Sequence, residues 1–248
     1  MMPRRLLLTV MLLTLSPLAA AQTAPNASGL SSSIFKLMNQ VGGTPTPATD
    51  GSTPETATPA PTPAPTVPKP LAKPEILKFK VSPAVRQKAI DDFVGEITAS
   101  SPESGAEWQK LFKSADVFAE LDKQASSMFN LTTTNLADTW AIYWSYAWLM
   151  TRGRGDDPTP AQMAGLKQQM QTLMLAVPDI TKLDDAGKQK ISDALMLQVA
   201  LFGVLAEAWK SDPASFKQFG DGLAEGSRGM GFDLKLLTLT DAGFAVQK

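Results

Sequence analysis

The chain has 248 residues, with 23 Lys and Arg against 24 Asp and Glu and a formal charge of −1, so it has no basic excess to neutralise phosphates, which argues against a nucleic-acid partner. It contains no Cys and no His, which excludes disulfides, thiolate nucleophiles, Fe–S and c-type haem attachment, the usual zinc sites and His-based triads. Hydrophobic residues make up 44%, and residues 44–74 hold only Val67 and Leu71 besides Ala, so the large apolar side chains are concentrated enough elsewhere for one packed domain.

Residues 1–21 read as a secretory signal peptide. Arg4 and Arg5 give a positive start, Leu6 to Leu15 an apolar run, and Pro17 a break. Ala19-Ala20-Ala21 then supplies a small-residue cleavage pattern, which puts the new N-terminus at Gln22. The apolar run is short for a membrane span. The expected location is therefore exported: periplasmic, envelope-associated or secreted.

Residues 22–43 hold a short amphipathic helix over 31–41. Leu30, Ile34, Leu37, Met38 and Val41 share one helical face. A helix this short is unstable alone. It either folds onto its own domain, stays disordered, or serves as a partner-binding peptide. Residues 44–74 are a disordered linker. Ten of these residues are Pro, interleaved with Thr and Ala, so the segment favours extended conformers and cannot build a core. Fully extended it reaches about 90 Å, at about 3.1 Å per residue.

Residues 75–248 are expected to form one all-α domain, a bundle of about six to seven helices. Ile76 to Val81 enters as an extended segment. Ser82 before Pro83 marks an N-cap and the first helix runs to about Thr98, with Val85, Ala89, Phe93 and Ile97 as its stripe. Helices follow over 103–112, 115–128, from just after Asn130-Leu131-Thr132-Thr133 to Arg152 with Gly153 as a stop, and from Thr159-Pro160 to about Val177. The sixth, 184–210, is the longest. Its apolar stretch from Ala194 to Ala206 is too short and too closely bracketed by charge for a span, so a central buried helix is expected. A seventh covers 213–225. Residues 232–240 suit a short extended piece that pairs with 76–81, a two-stranded clasp between the domain ends.

Trp140, Trp144 and Trp148 recur every four residues, with Tyr143 and Tyr146 to one side. Two readings compete for this cluster, a groove for sugar or apolar ligands and a core helix wrapped on several sides. The second is the commoner outcome for aromatics at helical spacing. Buried indole and phenol groups need partners, and Asp138 and Asn135 stand near the start of the same helix. Without His, acid–base catalysis would fall to an Asp/Glu pair. Glu96, Glu120, Asp138, Asp193 and Glu207 lie in helical, partly apolar stretches, and each alone suits a surface charge or cap. Glu103-Ser104 resembles the Glu-Ser dipeptide of lytic transglycosylases, without that family's downstream pattern. Asp156-Asp157 and Asp184-Asp185 lack the ligand spacing of a calcium loop. No residue set points to a metal or cofactor.

Asn135-Leu136-Ala137-Asp138, Ala141, Tyr143-Trp144 and Ala147-Trp148 resemble the signature of an uncharacterised family of exported bacterial helical proteins, DUF6683. Phe79 with Ser82-Pro83-Ala84-Val85-Arg86, Asp233-Leu234, and Leu239-Thr240-Asp241-Ala242-Gly243-Phe244 are also similar to it. The resemblance spans 79–244 and implies an N-terminal signal, a variable linker and a helical module. It implies no activity and no catalytic residue.

The leading expectation is a non-catalytic exported module that binds an envelope protein or surface polymer. Its partner contacts would come from Leu30, Ile34, Leu37, Met38 and Val41. A second reading is a carboxylate-dependent glycan hydrolase. A third is a carrier of a small apolar or sugar ligand through Trp140, Tyr143, Trp144, Tyr146, Trp148 and Asp138.

Overall fold

A computed structural model describes residues 73–229 and 232–246. The expected leader, the expected 31–41 helix with Leu30, Ile34, Leu37, Met38 and Val41, and all but the end of the expected linker fall on residues outside those described. Among those described, eight α-helices and one two-stranded sheet make an all-α fold with a short β piece. The helices are α1 (Pro83–Ser100), α2 (Pro102–Ser114), α3 (Val117–Phe129), α4 (Leu136–Met150), α5 (Pro160–Leu175), α6 (Pro178–Thr181), α7 (Asp185–Ala208) and α8 (Pro213–Arg228). Strands β1 (Leu237–Thr240) and β2 (Gly243–Val246) close the chain.

Local chemistry sets most of these boundaries. Pro opens α1, α2, α5, α6 and α8, where its missing N–H costs no helical bond. The Ser101, Asp116, Asn135, Asp184 and Asp212 side chains each accept a backbone N–H at the start of the helix that follows. Thr159 and Gln162 form a reciprocal capping box on α5. Asn130, at φ 54, ends α3 in the left-handed region, and Leu131 N–H returns to Ala125 O. Gly153, at φ 63, does the same after α4.

Ser82 departs from its expected role. Its side chain makes no cap bond. Instead its backbone N–H donates to Gln189 Oε1 at 2.7 Å, and its carbonyl accepts from Gln189 Nε2 at 3.0 Å. A side chain of α7 thus takes both backbone groups and fixes the start of α1 against the centre of the fold.

Helix α7 is that centre. It packs on α4 and α1, α4 also packs on α5, and α1 pairs with α2. The segment Asp185–Ser211 is long and apolar enough by composition to cross a membrane, and 72% of its most apolar window is buried inside the fold. Leu195, Met196, Val199, Ala200 and Phe202 on α7 meet Ala141, Ile142, Tyr143 and Leu149 of α4 in one continuous core. Each large side chain removed from water contributes about 1.5–3 kcal/mol before ordering costs. Where the two helices cross, Thr139 and Ser192 share a buried hydroxyl hydrogen bond of 3.0 Å.

The expected clasp takes a different form. β1 pairs antiparallel with β2, in register Leu237↔Val246 to Thr240↔Gly243, and not with 76–81. The entering segment is already spent: Lys78 bridges Asn135, Phe79 N–H donates to Thr134 O, and Lys188 Nζ caps the carbonyls of Ile76 and Lys78. Pairing β1 with its sequence neighbour across Asp241-Ala242 closes a far shorter loop than pairing it with a strand some 160 residues away, so it loses less chain entropy.

Candidate functional site

The aromatic helix lies in the interior. Every residue of α4 except Trp140 is buried. Tyr143 sits edge-on to Trp144 at 4.8 Å and beside Phe202 at 5.7 Å. Trp144 meets Phe232 at 4.9 Å, and Trp148 meets Phe244 at 6.5 Å. The rings therefore tie α4 to α7 and to the C-terminal segment, and face no groove at these contacts.

Their polar atoms find partners far along the chain. Trp148 Nε1 donates to Leu237 O at 2.9 Å, and Tyr146 donates to Asp157 Oδ1 at 2.7 Å. Trp140 Nε1 is buried with no partner. Burial pushes the Tyr143 hydroxyl far above its ordinary range, and burial followed by the charge of Asp157 does the same to Tyr146. Asn135 and Asp138 do not serve these rings. Asn135 caps α4 through Ala137 N–H. Asp138 is taken up elsewhere.

Asp138 is only 1% exposed. It accepts Thr132 N–H at 3.0 Å, and Lys167 Nζ lies 3.0 and 3.2 Å from its two oxygens. Burial raises its pKa, with Lys167 opposing. Asp193, equally buried, accepts from Arg86 at 3.0 and 3.4 Å and from Gln189 at 3.0 Å. Glu120 holds Gln124 at 2.8 Å and Lys123 at 3.7 Å. Glu207 pairs with Lys210. Glu96 lies exposed on α1, and Glu103 lies exposed in the first turn of α2. The candidate carboxylates thus engage different partners, and the two that share a helix, Asp193 and Glu207 on α7, are 14 residues apart and answer to Arg86 and to Lys210. Asp156 pairs with Arg154, Asp184 caps α7, and Asp185 pairs with Lys188. Among the described residues, no three Asp or Glu gather as a metal site.

A concavity of about 690 Å³ opens where the turn after α4 meets the end of α7 and the start of α8. Arg152, Gly155, Asp156, Trp209, Lys210, Phe216 and Lys217 are among its lining residues. Gly153 turns the chain out of α4 to make one side. Gly220 lets α8 approach on the other, since a Cβ there would lie 2.5 Å from Met150 O.

Arg152 is fixed in place by neutral groups. Nη1 donates to Thr151 Oγ1 at 2.8 Å and Leu234 O at 3.2 Å, and Nη2 donates to Leu237 O at 2.5 Å. Its guanidinium stacks 4.1 Å above Trp148. Burial and the nearby charge of Arg154 press its pKa down. Trp209 is 3% exposed, and its indole N–H has no acceptor. A second concavity of about 460 Å³ lies against Arg86, Ile90, Phe112 and Phe118. Arg86 stacks on Phe118 there but is committed to Asp193. None of Trp140, Tyr143, Trp144, Tyr146, Trp148 or Asp138 lines either concavity.

Sequence reasoning did not find the larger concavity. Its walls come from three segments up to about 65 residues apart, and each segment reads only as the end or start of a helix.

The family of unknown function DUF6683 matches residues 1–244. The chain belongs to that family. No curated protein and no solved structure matches it. The DUF6683 match also takes in the N-terminal region that the signature residues did not reach. In this DUF6683 member the signature residues build the fold. Asn135 is a cap; Leu136, Ala141 and Ala147 are fully buried; and Leu234 and Leu239 anchor the C-terminal segment. Arg86 secures α1 to α7 through Asp193, and Asp233 holds the turn before β1 through Lys235 N–H and Arg228.

Proposed function

We propose that this chain is a non-catalytic exported helical module that binds a protein or surface polymer of the cell envelope. One observation supports this best. The buried carboxylates Asp138 and Asp193 are engaged by internal cations, while the larger concavity presents Arg152, Lys210 and Lys217 around an open volume. A hydrolase would need two carboxylates free to face one substrate. A carrier built on the aromatic helix would need those rings at a cavity wall, whereas here they pack within the core. The leader and linker of the sequence fit an exported domain held away from a surface. The 30–41 segment, through Leu30, Ile34, Leu37, Met38 and Val41, is proposed as a second contact.

Co-sedimentation of the mature protein with isolated envelope polymer, coupled to an assay for new reducing ends, tests this reading. Retention in the pellet without release of reducing ends is expected. Release would establish the hydrolase instead.

A further inference from the structure

We propose that the concavity at Arg152, Trp209, Lys210 and Lys217 is an oxyanion site that takes an acidic sugar unit of a surface glycan. This rests on the binding-module reading and names its ligand class. Three cations line the volume against one carboxylate, Asp156, and that carboxylate is paired with Arg154. Arg152 is oriented by carbonyl and hydroxyl oxygens and by the Trp148 ring. These acceptors fix its direction and supply no full counter-charge. Such a preoriented guanidinium suits a carboxylate, sulfate or phosphate.

Lys210 and Lys217 are 46% and 76% exposed, and each is paired with a carboxylate of its own helix or helix end, Glu207 and Asp221. Surface pairs of this kind are weak, and Asp221 keeps Lys235 as a second partner when Lys217 leaves it, so both ammonium groups can turn to a ligand at modest loss. Trp209 also lines the volume, and its ring packs on Phe216 at 6.4 Å, which gives one wall an apolar aromatic surface. The volume of about 690 Å³ is within the range of small-molecule sites and accommodates a short stretch of sugar units.

Titration calorimetry on the mature protein with polygalacturonate, neutral dextran and inorganic phosphate tests the site. Polygalacturonate should bind, dextran should not, and added salt should weaken the binding. The double variant Lys210→Gln/Lys217→Gln alters only exposed side chains and should weaken polygalacturonate by roughly tenfold. Arg152→Gln should weaken it further, and its folding is checked by circular dichroism. Should Arg152→Gln unfold, the double variant still decides.

Equal binding of dextran and polygalacturonate, or unchanged affinity in the double variant, overturns the oxyanion site. Binding of phosphate alone overturns the glycan assignment. If polygalacturonate is ignored while the protein still sediments with envelope polymer, this inference fails and the binding module stands. If sedimentation is lost as well, the module fails too.

Discussion

Asp221 shows how a surface charge is tuned by its neighbours. It lies on α8 between Lys217, at 2.6 Å, and Lys235, which reaches it from the turn before β1. Hydrogen bonds from Lys217 first, and then from Lys235, hold its pKa at about 2, below the ordinary 3.8. A carboxylate whose folded pKa is depressed adds stability that is present above its unfolded pKa. That stability is lost as pH falls from about 4 through about 2. Asp221→Asn should therefore lower the unfolding midpoint at pH 7, with the difference from the parent shrinking over that window and vanishing below it. Denaturant titrations at stepped pH would measure this, and a difference that is constant from pH 7 to pH 2 would contradict it. Asp138 and Asp193 are a different case, since each is almost wholly removed from water. Removing one partner of such a pair strands a charge, at a cost of about 3–5 kcal/mol. In the sequence, Asp138 and Asp193 read alike, as charges within helical, partly apolar stretches. Only the position of each within the packed fold separates them.

At the scale of elements, the C-terminal hairpin is held by α5. Gln169 takes both backbone groups of Phe244, donating to its carbonyl at 3.0 Å and accepting its N–H at 2.8 Å. Gln162 donates to Leu239 O at 3.2 Å, and Trp148 and Arg152 donate to Leu237 O. Side chains therefore occupy the outer edges of β1 and β2 at these positions, which leaves fewer free groups for another strand to pair with. A two-stranded hairpin is marginal by itself, so this docking supplies much of its order. The approach depends on Gly165, where a Cβ would lie 2.1 Å from Asp241 O. Backbone on that side cannot yield as a flexible side chain would. Gly165→Ala should destabilise the protein by about 1–3 kcal/mol and expose 237–246 to amide exchange ahead of α4 and α7. Equal protection in variant and parent would show that the contact is dispensable. The helix starts were legible in the sequence because capping and Pro placement are local chemistry. The partner of β1 was not, because the patterns at 76–81 and 232–240 indicate extended chain without saying what it pairs with.

For the molecule as a whole, the described region has one core that runs from Leu77 and Phe93 to Leu234 and Leu239. A fragment starting at Lys73 should fold by itself, giving helix-dominated circular dichroism and a cooperative melt in detergent-free buffer. A strand-dominated or unstructured spectrum would refute a self-sufficient core. The placement of α7 bears on the same point. Its length and composition suit a membrane span, yet its apolar faces are matched by α4 and α1. On the proposed export the leader is removed, and N-terminal sequencing of the mature protein should begin near Gln22.

The sequence by itself determined the helical class, the start of nearly every helix and the central, buried place of α7. These follow from periodicity and capping, which act over a few residues. The tertiary structure decided that the aromatic stripe is core, that Asp138 and Asp193 answer to Lys167 and Arg86, and that Arg152, Trp209, Lys210 and Lys217 surround one concavity. Burial and charge pairing depend on which distant segments meet. That information resides in the packing of helices against one another and in no single stretch of chain.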